Sequence, residues 1–296
     1  MHWTTSRFVI DLNTPKVMAI INVTPDSFSD GGQHDSTSSA LRHCEEVLRE
    51  GAHILDIGGE STRPGSPAVP LEVELERVLP VVREAVKLGV PVSVDTYKPE
   101  VMQAVLDLGV DIVNDIWALR RTGAMDVVAA HPRCGVCLMH MHRDPQTMQV
   151  APMEGSVVIP VRQFLGDRAS LLEAKGVQPE RIVLDPGVGF GKSVEQNFEL
   201  LANQSALGQL PYPWLVGWSR KSSLGAVTGR ATPVERASGS VVAAVLAVER
   251  GASVVRVHDV RETVDGLAVW SALLQLTDKS GTGNKVFIPR FGGETN

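Results

Sequence analysis

Only three cysteines, at positions 44, 134 and 137, are spread over 296 residues. That is too few to staple a chain of this size, so a disulfide-built scaffold is excluded and stability must come from an apolar core. Cys134 and Cys137 form a C-x-x-C, but no second pair completes a zinc set. The motif also sits where a strand begins rather than at a helix start, and neither a redox nor a zinc role is expected. Long apolar runs are missing as well. The longest, residues 241–248, is far short of the roughly 20 residues that cross a bilayer, and residues 1–16 lack the apolar stretch of a signal peptide. A cytoplasmic location is expected. Basic runs interleaved with aromatics are also missing, and the formal net charge is −6. Both speak against a nucleic-acid partner while leaving room for a local anion site.

What the chain does contain is alternation. Eight short apolar, β-rich segments recur at residues 17–23, 53–57, 91–94, 111–116, 136–141, 181–184, 214–217 and 253–257. Helical patterns lie between most of them. In 36–50 the apolar Leu41, Cys44, Val47 and Leu48 share one face and Gly51 follows as a stop; Pro99 opens another helix that Gly109 closes. Further helical patterns cover 157–175, 194–203, 234–249 and 262–276, and Pro80 should kink or restart a helix over 71–88. Near-continuously apolar strands alternating with helices predict a closed parallel (β/α)8 TIM barrel of α/β class, a single domain over 1–278, with an open doubly wound sheet as the other arrangement. Residues 279–296 are expected to form a poorly ordered tail. An internal echo supports the barrel: Gly51-Ala-His-Ile-Leu-Asp56, Gly109-Val-Asp-Ile-Val-Asn114 and Gly251-Ala-Ser-Val-Val-Arg256 each place a polar residue five positions after a glycine. Three unlike polar groups at one structural place suggest a shared wall of a site.

In a barrel, chemistry gathers at the C-terminal strand ends. Those ends carry Asn22, Glu60 to Arg63, Asp95, Asn114, His140, Asp185, Ser219 to Lys221, and Arg256 with His258. Arg63, Lys221, Arg256 and His258 make a cationic half suited to phosphate or pyrophosphate. Asp95, Asn114 and Asp185 offer acceptors to a heterocycle presenting N–H donors. Two tempting motifs fail. Gly-Phe-Gly-Lys-Ser193 is no P-loop, because Pro186 stands where the first glycine is required; its glycines fit a tight turn or close approach to a flat ligand. His140-Met-His142 lacks the surrounding ligands of a barrel metallohydrolase. Trp218 should face the helical layer, and Trp117 has no assigned role.

Two longer stretches, Ile20-Ile-Asn-Val-Thr-Pro-Asp-Ser-Phe-Ser-Asp-Gly-Gly32 and Asp56-Ile-Gly-Gly-Glu-Ser-Thr-Arg-Pro-Gly65, resemble the signatures of the dihydropteroate synthase family of pterin-binding barrels. Similar matches follow in order at Ser93-Val-Asp-Thr96, Asn114-Asp-Ile116, Leu138-Met-His-Met141, Leu184-Asp-Pro-Gly187, Ser219-Arg-Lys-Ser222 and Arg256-Val-His258. The resemblance implies a transferase of folate biosynthesis that condenses dihydropterin diphosphate with 4-aminobenzoate. It implies that Asp95, Asn114, Asp185 and Lys221 hold the pterin, and that Arg63, Arg256 and His258, with Thr62 nearby, hold the diphosphate. Lys221, Asp95, Asp185 and Arg256 would be the catalytic set. Asn22 would contact a Mg2+ ion, and Phe28, Thr62, Pro64, Phe190 and Ser222 would line the 4-aminobenzoate site. The loops 24–32 and 61–69 would close as lids, sulfonamides would compete with 4-aminobenzoate, and the chain would form a homodimer through its late helices. A pterin-dependent methyltransferase and an inactive pterin-binding paralogue are the competing readings.

Overall fold

The computed structural model describes residues 1–24, 33–62, 65–144, 147–148 and 150–279. An antiparallel hairpin, β1 (His2–Thr4) and β2 (Val9–Asp11), precedes eight parallel strands. These are β3 (Lys16–Asn22), β4 (Ile54–Gly58), β5 (Val92–Asp95), β6 (Ile112–Asp115), β7 (Gly135–Met139), β8 (Ile182–Asp185), β9 (Leu215–Val216) and β10 (Val254–Val257). Their spatial order is β8-β7-β6-β5-β4-β3-β10-β9, and a parallel bridge between Leu184 and Trp214 joins the two ends. Sequence order is therefore followed around a circle, and the barrel, not the open sheet, is the fold. The helices α1 (Gln33–Arg49), α2 (Leu71–Ala85), α3 (Pro99–Asp107), α4 (Ala124–Ala130), α5 (Val158–Glu173), α6 (Val194–Ala202), α7 (Gln204–Leu207), α8 (Ser222–Thr228), α9 (Ala237–Glu249) and α10 (Val260–Lys279) lie between and after the strands.

Strand periodicity separates two environments. Outward residues such as Val17, Ala19, Ile21, Leu55, Ile57, Val94 and Val255 pack with the helices in one apolar layer. The inward set divides by height. Its lower storey is apolar: Met18, Ile54, Ile112, Cys137, Val183, Leu215 and Val254 meet inside the barrel. Two residues further along the same strands the inward positions turn polar, as at Asp56, Asn114, Asp185 and Arg256. A period of two thus carries both the plug and the site.

Trp3 caps the lower storey from the hairpin. It is fully buried among Met18, Ile54 and Ile112, and its indole N–H donates to the Arg181 carbonyl at 2.9 Å. Gly135 leaves room for it, since a Cβ there would stand 2.9 Å from the indole nitrogen. Arg7, in the hairpin turn, ion-pairs with buried Asp111 at 2.5 Å. Strands of three residues are too short to show periodicity, so the hairpin was not expected; nor was the seven-residue α4.

Of the two outcomes expected at Pro80, the restart does not occur: α2 runs on through it to Ala85. One backbone hydrogen bond is lost, but Val78, Val81, Val82 and Ala85 are all buried on the helix, and that burial outweighs the loss. Cys134 and Cys137 are free and buried, and they belong to different layers, helix-facing and barrel-interior. An odd spacing along a strand points two side chains to opposite faces, so the C-x-x-C is a packing feature. Trp218 does face the helical layer, 5.2 Å from the Phe198 ring. Helix α10 reaches Lys279, one residue into the expected tail, whose remainder lies outside the described residues.

Replacing Trp3 by Ala should open the bottom of the barrel at a cost of about 3–5 kcal/mol. The expected result is a lower urea midpoint at unchanged slope; an unchanged midpoint would mean that the hairpin does not belong to the cooperative unit.

Candidate active site

The C-terminal strand ends surround a cavity of about 250 Å³. Asn22, Thr62, Asp95, Asn114, Asp185, Phe190, Lys221, Ser222, Arg256 and His258 all line it, so ten of the sequence-selected positions converge. Phe28, Arg63 and Pro64 lie outside the described residues, as does most of the first expected lid loop.

The floor is a buried charge cluster. Asp56 Oδ2 accepts from Arg256 Nε at 2.6 Å and from Asn114 Nδ2 at 3.2 Å. These are the three residues of the internal echo, brought together from β4, β6 and β10. Arg256 also donates through Nη2 to Asp95 Oδ2 at 2.7 Å. Burial works to lower the Arg256 pKa, but Asp56 and Asp95 outweigh it and hold the guanidinium firmly charged. The expected division into a cationic and an acidic half is therefore modified: Arg256 sits within the acidic half and partly neutralises it. Burial, opposed by Arg256, pushes Asp95 up to about 7. Asp95 Oδ1 is buried and has no hydrogen-bond partner among the described residues, an acceptor suited to an incoming N–H.

The opposite wall is built by the loop after β8. Asp185 accepts from the Gly187 N–H at 2.7 Å, and burial raises its pKa to about 6. Gly187 and Gly189 both have positive φ. A Cβ on Gly187 would overlap the His140 carbonyl oxygen at 1.8 Å, and one on Gly189 would crowd the Lys221 stem at 3.2 Å. Only glycine permits this tight approach. Lys221 Nζ then lies 4.3 Å from the centre of the Phe190 ring.

Lys221 is delivered by a strained turn. Arg220 has φ +59°, uncommon for a residue with a side chain, and is held by Asp259 at 2.5 Å and by its own N–H to Ser240 Oγ at 2.8 Å. Ser219 Oγ lies 2.9 Å from His258 Nδ1 and accepts from the His258 N–H at 3.0 Å. Ser222 opens α8, as expected. At the rim, Glu60 accepts from Tyr97 Oη at 2.8 Å and from Lys98, which also bridges to Glu74.

His140 departs from expectation: it does not line the cavity but lies behind the loop, its ring edge-on to Phe164 at 5.0 Å. Burial, followed by the nearby Lys192 charge, lowers its pKa to about 2, and no group of three His, Cys, Asp or Glu that could hold a metal occurs among the described residues. Met139, Met148, Pro233 and Arg236 line the cavity without having been selected. No polar signal marked Met139 or Met148, and Pro233 and Arg236 come from a 3-10 turn before α9 that only the chain's return to the mouth makes relevant.

Asp185 has a stability consequence. A carboxyl whose folded pKa is raised contributes stability that is full below its unfolded pKa and is lost as pH rises through about 6. Asp185→Asn keeps an acceptor for Gly187 and removes that titration. It should stabilise the ligand-free protein by about 1–3 kcal/mol at pH 8 and by little at pH 4. Parallel melting-temperature curves for the two proteins between pH 4 and 8 would contradict this.

A family model described as "Pterin binding enzyme" matches residues 18–258. The chain is 48% identical over 276 residues to the dihydropteroate synthase of Neisseria meningitidis serogroup B, covering 92% of this chain and 97% of that one. It superposes with TM-score 0.86 on the Burkholderia cenocepacia dihydropteroate synthase complexed with 7,8-dihydropteroate, at 49% identity over 94% of this chain and 98% of that one. With the Xanthomonas albilineans enzyme holding 4-aminobenzoic acid the TM-score is 0.87, at 47% identity over 93% and 99% of the two chains. A barrel whose mouth joins buried carboxylates to lysine and histidine, with likeness of this extent along the chain, has one reading: the chain belongs to the pterin-binding enzyme family, among the dihydropteroate synthases.

Proposed function

We propose that this protein condenses (7,8-dihydropterin-6-yl)methyl diphosphate with 4-aminobenzoate, forming 7,8-dihydropteroate and releasing diphosphate. The observation that carries the reading is the convergence of Asp95, Asn114, Asp185 and Lys221 in one cavity that Asn22, Thr62, Ser222 and His258 also line. A flat heterocycle with an N–H edge suits the carboxylates and the Asn114 amide, and Lys221 donates to ring acceptors. His258, together with the side of Arg256 left by its two carboxylates and with Arg63, would take the diphosphate. Phe190 and Ser222 would flank the 4-aminobenzoate ring and its carboxylate, with Phe28 and Pro64 completing that site.

The chemistry needs no covalent protein intermediate. The C–O bond between the pterin methylene and diphosphate breaks, and positive character spreads into the electron-rich ring beside the Asp95 and Asp185 carboxylates. The aniline nitrogen forms the new C–N bond and then loses its proton. The protein's part is to align the two substrates and to neutralise the leaving group.

Mg2+ belongs to the same proposal. With no group of three His, Cys, Asp or Glu placed to hold a metal among the described residues, the protein's donor would be the Asn22 amide oxygen, the rest being diphosphate oxygens and water. Mg2+ is suited to so few protein ligands, and when bound it would offset the diphosphate charge. We also propose a homodimer, formed through α9 and α10, where Val242, Val269 and Leu273 are strongly exposed; a monomeric mass in sedimentation would remove that part. A cytoplasmic setting is supported by three free, buried thiols, and no described helix is long and apolar enough to cross a membrane.

The test is diphosphate release by the purified protein with Mg2+, with and without 4-aminobenzoate. Release that depends on 4-aminobenzoate, with equal dihydropteroate, is expected; pterin binding without product would favour the inactive paralogue or the methyltransferase. In the same assay Lys221→Ala should weaken pterin binding and turnover together by about a hundredfold, the loss of a charged contact to a buried ligand. Sulfonamides should compete with 4-aminobenzoate and not with the pterin.

A further inference from the structure

The lysine of the failed P-loop pattern has another use. Lys192 is almost wholly buried and does not itself line the cavity. It lies 2.8 Å from the Gly187 carbonyl, 3.2 Å from the Phe190 carbonyl and 3.0 Å from His140 Nδ1. Because burial keeps His140 neutral, Nδ1 can offer its lone pair while the proton stays on Nε2. With the His140 carbonyl at 3.5 Å, four acceptors surround the amine, enough to occupy all three N–H donors of an ammonium. Burial opposes that charge and lowers the Lys192 pKa to about 7, with Asp185 countering the shift and Lys221 adding to it.

The segment clasped by this amine is the cavity wall. Gly187, Val188, Gly189 and Phe190 all line the pocket. At one end of the clasp the Gly187 N–H holds Asp185 at 2.7 Å. At the other, the Phe190 ring lies beneath Lys221 Nζ at 4.3 Å, while Gly189 abuts the Lys221 stem. The positions of both an acidic and a basic pterin contact therefore pass through one short loop. Without a donor at Nζ, the Gly187 and Phe190 carbonyls keep only the Phe190 N–H at 3.1 Å and the His142 N–H at 3.5 Å, and the side-chain tie from the loop to His140 after β7 is lost.

We propose that Lys192 is a positioning residue for the pterin half of the site: its amine sets the 187–190 loop in the shape that presents Asp185 and Lys221 together. The inference rests on the pterin reading above and extends it to a side chain that touches no substrate. A lysine that merely stabilised the fold would, on removal, lower melting temperature and affect both substrates alike. A positioning lysine acts mainly on the pterin, with a smaller effect on 4-aminobenzoate through Phe190.

The experiment compares the full-length protein with Lys192→Met, which keeps the stem and removes the donor, and with Lys192→Gln, which restores a shorter one. Steady-state kinetics with Mg2+ should give a KM for the dihydropterin diphosphate raised about tenfold in Lys192→Met, with that for 4-aminobenzoate within about twofold. Lys192→Gln should fall between. Lys192→Met combined with Lys221→Met should lose less than the product of the two single effects, since both act through one loop. A folded Lys192→Met with wild-type pterin KM, or with both KM values raised equally, overturns the proposal. Should Lys192→Met not fold, His140→Asn loosens the same clasp; a pterin-selective rise of about threefold supports the inference and no selective change overturns it. Failure of the wild-type protein to turn over would instead sink the functional reading and is distinguishable from either result.

Discussion

The guanidinium of Arg256, held between Asp56 and Asp95, is the interaction on which the rest of the site rests. An uncompensated charge inside a barrel would be costly, and removing one partner of such a buried pair typically costs about 3–5 kcal/mol. The arginine allows two carboxylates to stand close together below the mouth, and they in turn fix its plane. Asp56 further accepts from Asn114, so strands β4, β5, β6 and β10 are tied through side chains as well as through backbone. Burial, only partly offset by Arg256, keeps the Asp95 carboxyl raised to about 7, a setting in which a ligand's N–H donors stabilise the ionised form.

The barrel is thus two environments stacked on one set of strands. Below, Met18, Ile54, Ile112 and Val183 fill the interior, and Trp3 seals it. Above, the same inward positions carry charge. Each storey depends on the other: the apolar plug excludes water and makes the polar layer's hydrogen bonds strong, while the polar layer's network limits how far the barrel mouth can relax. The loops then refine what the strands supply. Arg220 at positive φ, anchored by Asp259, throws Lys221 inward, and the glycine turn after β8 brings Phe190 beneath it.

Much of this was legible in the residues. Alternation of apolar strands with helices specified the barrel, because each segment's period of burial is a local property. Polar groups at successive strand ends marked the mouth, because burying Asp95, Asn114 or Asp185 makes sense only where something pairs with them. The echo of Asp56, Asn114 and Arg256 even named three residues that meet. The N-terminal hairpin was not legible: three-residue strands have no measurable period, and Trp3 finds its place only once the barrel bottom exists. The restart expected at Pro80 does not occur, since the burial that keeps α2 continuous belongs to the neighbouring β4 and α1 layer and not to the helix itself.

What the amino-acid order determined by itself was therefore the architecture and the identity of the groups at its mouth, through spacing along single elements. Tertiary structure decided their pairing. Arg256 reads as an anion ligand in sequence, yet its charge is shared with two carboxylates from strands that begin some 200 and 160 residues earlier. His140 reads as a mouth residue and lies instead behind a loop, and Lys192, which has no role in the sequence once the P-loop pattern fails, contacts that loop's carbonyls and His140. Interaction energies fall steeply with distance and depend on the surrounding dielectric. Neither quantity is defined for residues far apart in the chain until the barrel closes around them.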